Sequence, residues 1–255
     1  MNSFALVRMH TRIQTLSLLR LPAYVVPTIA FPAMFFVLFD LSAARTQAAI
    51  ADVTTLSFVA FAIIGVALYQ FGVGIAQERG RPWERYVRTL PVSAVARFAA
   101  RIASALLFGI LTAALVALVS RAFTPIDLGA SQWLRVLMYA AIGGVPFVLI
   151  GISIGYWASA QAAVPIATAV NLLFAYAGGL WMPPQYLPGI VQRISPYLPT
   201  RQFADLLWSV IHGAPPHAFA SDSASHAIAG LALYAAIFFA LASIGYRRDE
   251  NKRYA

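Results

Sequence analysis

Glutamate and arginine gather in one short polar stretch of an otherwise apolar chain, Gln77-Glu78-Arg79-Gly80-Arg81-Pro82-Trp83-Glu84-Arg85-Tyr86-Val87-Arg88-Thr89-Leu90-Pro91-Val92-Ser93. Pro82 suits the first turn of a helix, and Trp83, Tyr86, Val87 and Leu90 follow at i, i+3, i+4 and i+7, which sets them on one face. Glu84, Arg85 and Arg88 fall off that face, and Pro91 ends the helix. The chemistry on offer is recognition. An amphipathic two-turn helix rimmed with both signs of charge suits docking on a soluble partner as well as resting on lipid.

Catalysis has little to work with. An intramembrane enzyme needs a nucleophile and a base, paired carboxylates or a metal cluster within mutual reach. His10, His212, His217 and His226 are dispersed over loops and a terminus, and no Asp, Glu or His falls inside a predicted span. With no cysteine, disulfides and thiolate metal sites are excluded. Lys252, in Asn251-Lys252-Arg253, is the only lysine, so the chain lacks the Gly-x-x-x-x-Gly-Lys-Ser/Thr loop whose lysine meets the terminal phosphates of a nucleotide. No catalytic, cofactor or metal residue is therefore assigned. Inside the spans the notable polar residues are Gln70 and Asn171. With Tyr176 they are the candidates for lining a path, against the plainer role of tying helices together.

The elements that position these residues follow from composition. At 60% hydrophobic and 11% charged residues, with a mean hydropathy of +0.74, 255 residues cannot hide their apolar side chains in a soluble core. The fold class is an all-α integral membrane protein. Six charge-free stretches are long enough for roughly 30 Å of hydrocarbon: Leu21–Phe39, Thr54–Ala76, Ile102–Ser120, Val136–Trp157, Ala162–Trp181 and Ala227–Tyr246. The fourth and fifth share one uncharged run, divided at Ala158-Ser159-Ala160-Gln161. Pro22, Pro27 and Pro32 should bend the first, and Gly151 and Gly155 form a Gly-x-x-x-Gly element for close helix approach, within the chain or with another subunit.

Arginine placement orients the bundle. Thirteen of the eighteen basic residues precede the first span, lie between the second and third, or follow the sixth; with Glu78, Glu84, Asp249 and Glu250 that side carries a net +9. On the other side Arg45, Arg121, Arg135, Arg193 and Arg201 balance Asp40, Asp52, Asp127, Asp205 and Asp222. Both termini and the polar segment are expected in the cytoplasm. The basic start, the apolar run and Ser42-Ala43-Ala44 resemble a signal peptide, but the first apolar run exceeds a signal core, so a retained span is expected. Within residues 1–20, Leu6, Met9, Ile13 and Leu16 form a stripe beside Arg8 and Arg12, as in a helix lying on the inner leaflet. The +9 excess is explained by this asymmetry and needs no nucleic acid. A single domain is expected over 1–255: the interfacial helix at 1–20, the six-span bundle at 21–246 and a cytosolic basic tail at 247–255.

After the fifth span, Pro183, Pro184, Pro188, Pro196 and Pro199 forbid one long helix. Short helices over Pro188–Ser195 and Arg201–Ile211 are expected instead, at or dipping into the outer interface, where the intervening Trp and Tyr are at home.

Together these features resemble the permease subunits of type-2 ABC exporters over nearly the whole chain. The family's cytosolic loop, Glu-Arg…Gly…Glu-Arg-Leu…Thr-Pro, is met by Glu78-Arg79, Gly80, Glu84-Arg85 and Thr89-Leu90-Pro91. Its Gly…Pro…Pro…Pro segment is met by Gly178-Gly179, Pro183-Pro184, Leu187-Pro188 and Pro196. One departure is Arg81-Pro82-Trp83, where the common form has Gly-Thr before the glutamate-bearing helix. The resemblance implies a homodimer or paired permease, in a bacterial-type cytoplasmic (inner) membrane. A cytosolic ATPase subunit that carries ATP and Mg would dock on the coupling helix between spans two and three. The residues it makes coupling residues are Glu78, Arg79, Gly80, Trp83, Glu84, Arg85, Tyr86, Arg88 and Pro91. A drug or lipid-like cargo is the favoured expectation, since no carbohydrate-binding appendage or large external domain is present. The rival readings are a membrane scaffold or receptor and an intramembrane enzyme.

Overall fold

The structure, a computed structural model, describes residues 3–20, 22–80, 94–211 and 224–254. Among these residues every regular element is helical. Helix α1, Ser3–Leu19, is followed by α2 (22–44) and α3, Ala48–Arg79, whose helical turn closes at Gly80. Next come α4, Ala94–Phe123, α5, Ala130–Trp157, and α6, Ala160–Ala177. Two short helices, α7 (Gly189–Ile194) and α8 (Pro199–Trp208), precede the long α9, Ala224–Tyr254. Five of them, α3 to α6 and α9, are long and apolar enough to cross a membrane.

The sequence explains their limits. Ser159, whose hydroxyl accepts from the Ala162 N–H at 3.2 Å, caps α6 and separates it from α5 at the expected link. In α2 the prolines give a specific kind of bend. Val26–Ala30 and Phe36–Asp40 are π turns, closed by N–H bonds from Phe31 to the Val26 carbonyl and from Leu41 to the Phe36 carbonyl. The first of these turns holds Pro27 and ends two residues before Pro32, and its wider turn relieves the clash a proline ring makes with the carbonyl of the preceding turn; the second, Phe36–Asp40, contains no proline. A third π stretch, Leu68–Val73, lies inside α3.

Nearly all of α3 is buried, and the other helices pack around it. Gly151 and Gly155 of α5 settle the question of their neighbour. A methyl at Gly151 would stand 2.7 Å from the Ala67 carbonyl oxygen, and one at Gly155 would stand 2.7 Å from Ile75 Cβ, so both glycines press against α3 of the same chain. Hydroxyl groups tie the remaining contacts: Thr55 Oγ1 to Ser120 Oγ at 2.6 Å (α3 to α4), Tyr69 to Thr168 (α3 to α6), and Ser153 Oγ to the Phe238 carbonyl at 3.3 Å (α5 to α9). Each removes a polar group from hydrocarbon.

The proline-rich segment differs from its expected placement. Ile190, Tyr186 and Tyr197, around α7, are exposed as an interfacial site requires. All ten residues of α8, by contrast, are buried, against α3, α5 and α9. Burial is possible because its charges answer each other: Arg201 Nε donates to Asp205 Oδ1 at 2.8 Å, and the guanidinium lies 5.2 Å from the Trp208 ring. Trp208 Nε1 in turn donates to Ser57 Oγ at 3.0 Å.

Candidate functional site

Two charged residues close the last turn of α3, next to the polar segment that sequence singles out. Arg79 is the more heavily engaged. Its Nε and Nη2 both donate to Asp249 Oδ1, at 2.9 and 2.6 Å, and its Nη1 donates to the Gly155 carbonyl at 2.6 Å. That carbonyl belongs to the final turn of α5, which ends at Trp157 and leaves its last oxygens without intrahelical donors. A guanidinium there also suits the negative end of the helix dipole. The same group lies 5.5 Å from the Tyr156 ring. Glu78 accepts from Arg101 Nη2 near the start of α4.

One end of the bundle therefore gathers Glu78, Arg79, Arg101 and Asp249. The opposite end holds Asp52, which accepts from the Asp127 N–H at 2.9 Å, Arg121, which donates to the Ile126 carbonyl at 3.5 Å, and Arg45 over the Phe123 ring. Opposite ends thus carry the two charge groups that the sequence separates. Gly80 ends α3. The other candidate coupling residues, Trp83, Glu84, Arg85, Tyr86, Arg88 and Pro91, lie outside the described residues.

The candidate path residues fall elsewhere. Gln70 is buried within the π stretch of α3, Asn171 is buried in α6, and Tyr176 is half-buried near the end of α6. The Tyr69–Thr168 bond brings α3 and α6 together one residue from Gln70 and three from Asn171. The Asn171 Oδ1 is buried with no hydrogen-bond partner among the described residues. A separate apolar groove of about 640 Å³ runs between α3, α4 and α5, walled by Ile63, Ala105, Gly109, Ala113, Leu137 and Gly144 among others; none of Gln70, Asn171 and Tyr176 lines it.

A sequence model described as ABC-2 type transporter matches residues 6–212, from α1 through α8 and across the polar segment. The chain belongs to this family. It is a multi-pass membrane protein of the ABC-2 transporter family. “Putative transport permease YvfS” of Bacillus subtilis (strain 168) is 25% identical over 161 residues, which cover 63% of this chain and 66% of that protein, just under two thirds of its length.

Sequence reasoning missed Arg101, Asp249 and the Gly155 carbonyl as partners of the Glu78-Arg79 pair. Arg79 and Asp249 stand 170 positions apart, so no local spacing connects them. The available hint was an acid placed directly after Arg247 and Arg248, in a tail otherwise dominated by bases.

Proposed function

We propose that this permease is the membrane subunit of an ATP-driven exporter, and that it binds a separate cytosolic ATPase through residues 78–91. The observation that carries the reading is the family match running through a segment with both charge signs and an aromatic stripe, in a chain whose lone lysine, Lys252, leaves no nucleotide-binding loop. ATP and Mg then belong to the partner. A sixth crossing is supplied by α2, whose 23 positions over 22–44 give a rise of about 35 Å, enough for roughly 30 Å of hydrocarbon. Helix α1 lies on the inner leaflet, a reading supported by exposed Met9, Ile13 and Leu16 beside exposed Arg8 and Arg12. Residues 1–255 act as one domain, both termini face the cytoplasm, and two copies or a paired permease enclose the path in a bacterial-type inner membrane. The cargo is drug-like or lipid-like.

The test is Glu84→Arg and, separately, Trp83→Ala, at matched membrane abundance. An interfacial charge pair loses ~2–5 kcal/mol when one partner is truncated, well over tenfold in assembly. A solvated pair loses under ~1 kcal/mol. ATPase co-purification and transport should both fall; full association and transport in both variants would reduce the segment to a lipid anchor.

A further inference from the structure

Asp249 lies beyond the last apolar stretch, on the helical continuation of α9. Helix α9 lies mainly along α5 and α8. Its charged end nevertheless reaches α3 through Arg79, whose guanidinium touches three helices at once: its own, α5 at Gly155 and Tyr156, and α9 at Asp249. Both partners of the ion pair are shielded, with 22% of the Arg79 side chain and 12% of the Asp249 side chain exposed. Solvent therefore screens the pair less than it would a surface pair.

The ends of α5 and α9 are fastened to each other at the same level. Trp157 Nε1 donates to the Leu241 carbonyl at 3.2 Å, Arg248 lies 5.5 Å from the Trp157 ring, and Tyr156 and Tyr246 meet edge to face at 5.6 Å. Whatever displaces Arg79 acts on a pair already joined. The pair Glu78–Arg101 closes the other flank, joining the end of α3 to α4, the two helices between which residues 81–93 run.

We infer that Asp249 is a positioning residue of transport: held to Arg79, it makes the ends of α3, α5 and α9 move as one body when the partner ATPase displaces the segment at 81–93. This rests on the coupling reading above. It gives Arg79 a role different from direct contact with the ATPase, since its donors are already directed inward. The pair holds through the cycle as a strut.

The test uses the full chain assembled with its ATPase in lipid vesicles, spin-labelled at Ser42, in the last turn of α2 and outside that body, and at Asn251, beyond Asp249. Their distance is read with and without ATP and vanadate. The expected result is an ATP-dependent shift in the unaltered chain and in Asp249→Glu. In Asp249→Asn the shifted population should fall about fivefold or more, with the ATPase still bound. An Asp249→Asn variant that is less heat-stable yet shifts normally would make the pair merely structural and overturn the inference. Loss of ATPase binding in Asp249→Asn would overturn it as well, since the docking helix is untouched. Should Asp249→Asn fail to insert, Arg79→Gln is read by the same criteria. If the unaltered chain binds its ATPase but shows no shift, the inference alone fails; if it binds no ATPase, the coupling reading fails with it.

Discussion

Asp205→Ala should be among the most damaging single substitutions outside the coupling segment. Arg201 and Asp205 are 6% and 5% exposed in their side chains and joined at 2.8 Å. Local helix physics does not favour the arrangement: in Pro199–Trp208 the arginine sits in the first turn and the aspartate near the last, against the helix dipole. What holds the pair is burial of α8 against α3, α5 and α9, with Trp208 stacked on the guanidinium. Removing the carboxylate leaves a buried cation, at a cost of about 3–5 kcal/mol. For a chain of this size each kcal/mol shifts the melting temperature by roughly 2–4 °C, so a loss on the order of 6–20 °C is expected. Replacing both residues, Arg201→Met with Asp205→Leu, removes the charges together and should recover most of that loss. The assay is thermal unfolding of the purified permease in lipid nanodiscs. A shift below about 3 °C for Asp205→Ala, or a double variant as unstable as the single one, would refute the reasoning.

Three other outcomes are expected. In a chain without cysteine, single cysteines at Ser42, Ser131 and Ser221 should react with an impermeant thiol reagent from outside intact cells, and those at Ser93 and Asn251 should not; labelling of Ser93 or Asn251 from outside would overturn the orientation. Gly155→Ala should destabilise, because its methyl would come 2.7 Å from Ile75 Cβ and 2.9 Å from the Phe71 carbonyl oxygen, whereas Gly109→Ala, with nothing within 4 Å, should stabilise by ~0.5–1 kcal/mol in the same unfolding assay. Asn171→Leu should leave ATP hydrolysis by the assembled transporter near normal and change stability only modestly; a change in which substrates stimulate hydrolysis, at unchanged stability, would make Asn171 a path residue.

Helix existence was legible wherever charge-free runs were long, and so was the break between α5 and α6, because Ser159 is a good cap and sits in the polar link. Boundaries were less legible. Helix α3 runs from Ala48 to Arg79, past the expected Thr54–Ala76, because Asp52 and Glu78 find partners in Asp127 and Arg101 and the helix need not stop at its first charge. The burial of α8 was hidden because Arg201 and Asp205 read as surface residues until their mutual contact is known. Glu78 and Arg79 stood out by type, yet their partners come from distant parts of the chain, which no periodicity discloses.

The π stretch at Leu68–Val73 has a consequence for the far end of α3. A π turn accommodates one residue more than an α turn in the same advance, and one residue corresponds to about 100° of rotation about the helix axis. The two halves of α3 are thus out of phase: the half before it presents Thr55 to α4, and the half after it aims Arg79 at Gly155 and Asp249. Deleting a single residue within 68–73 would return the helix to a continuous α phase. Arg79 would then be turned away from Gly155 and Asp249, and the end of α3 would lose its hold on α5 and α9, although Arg79 itself had not been substituted.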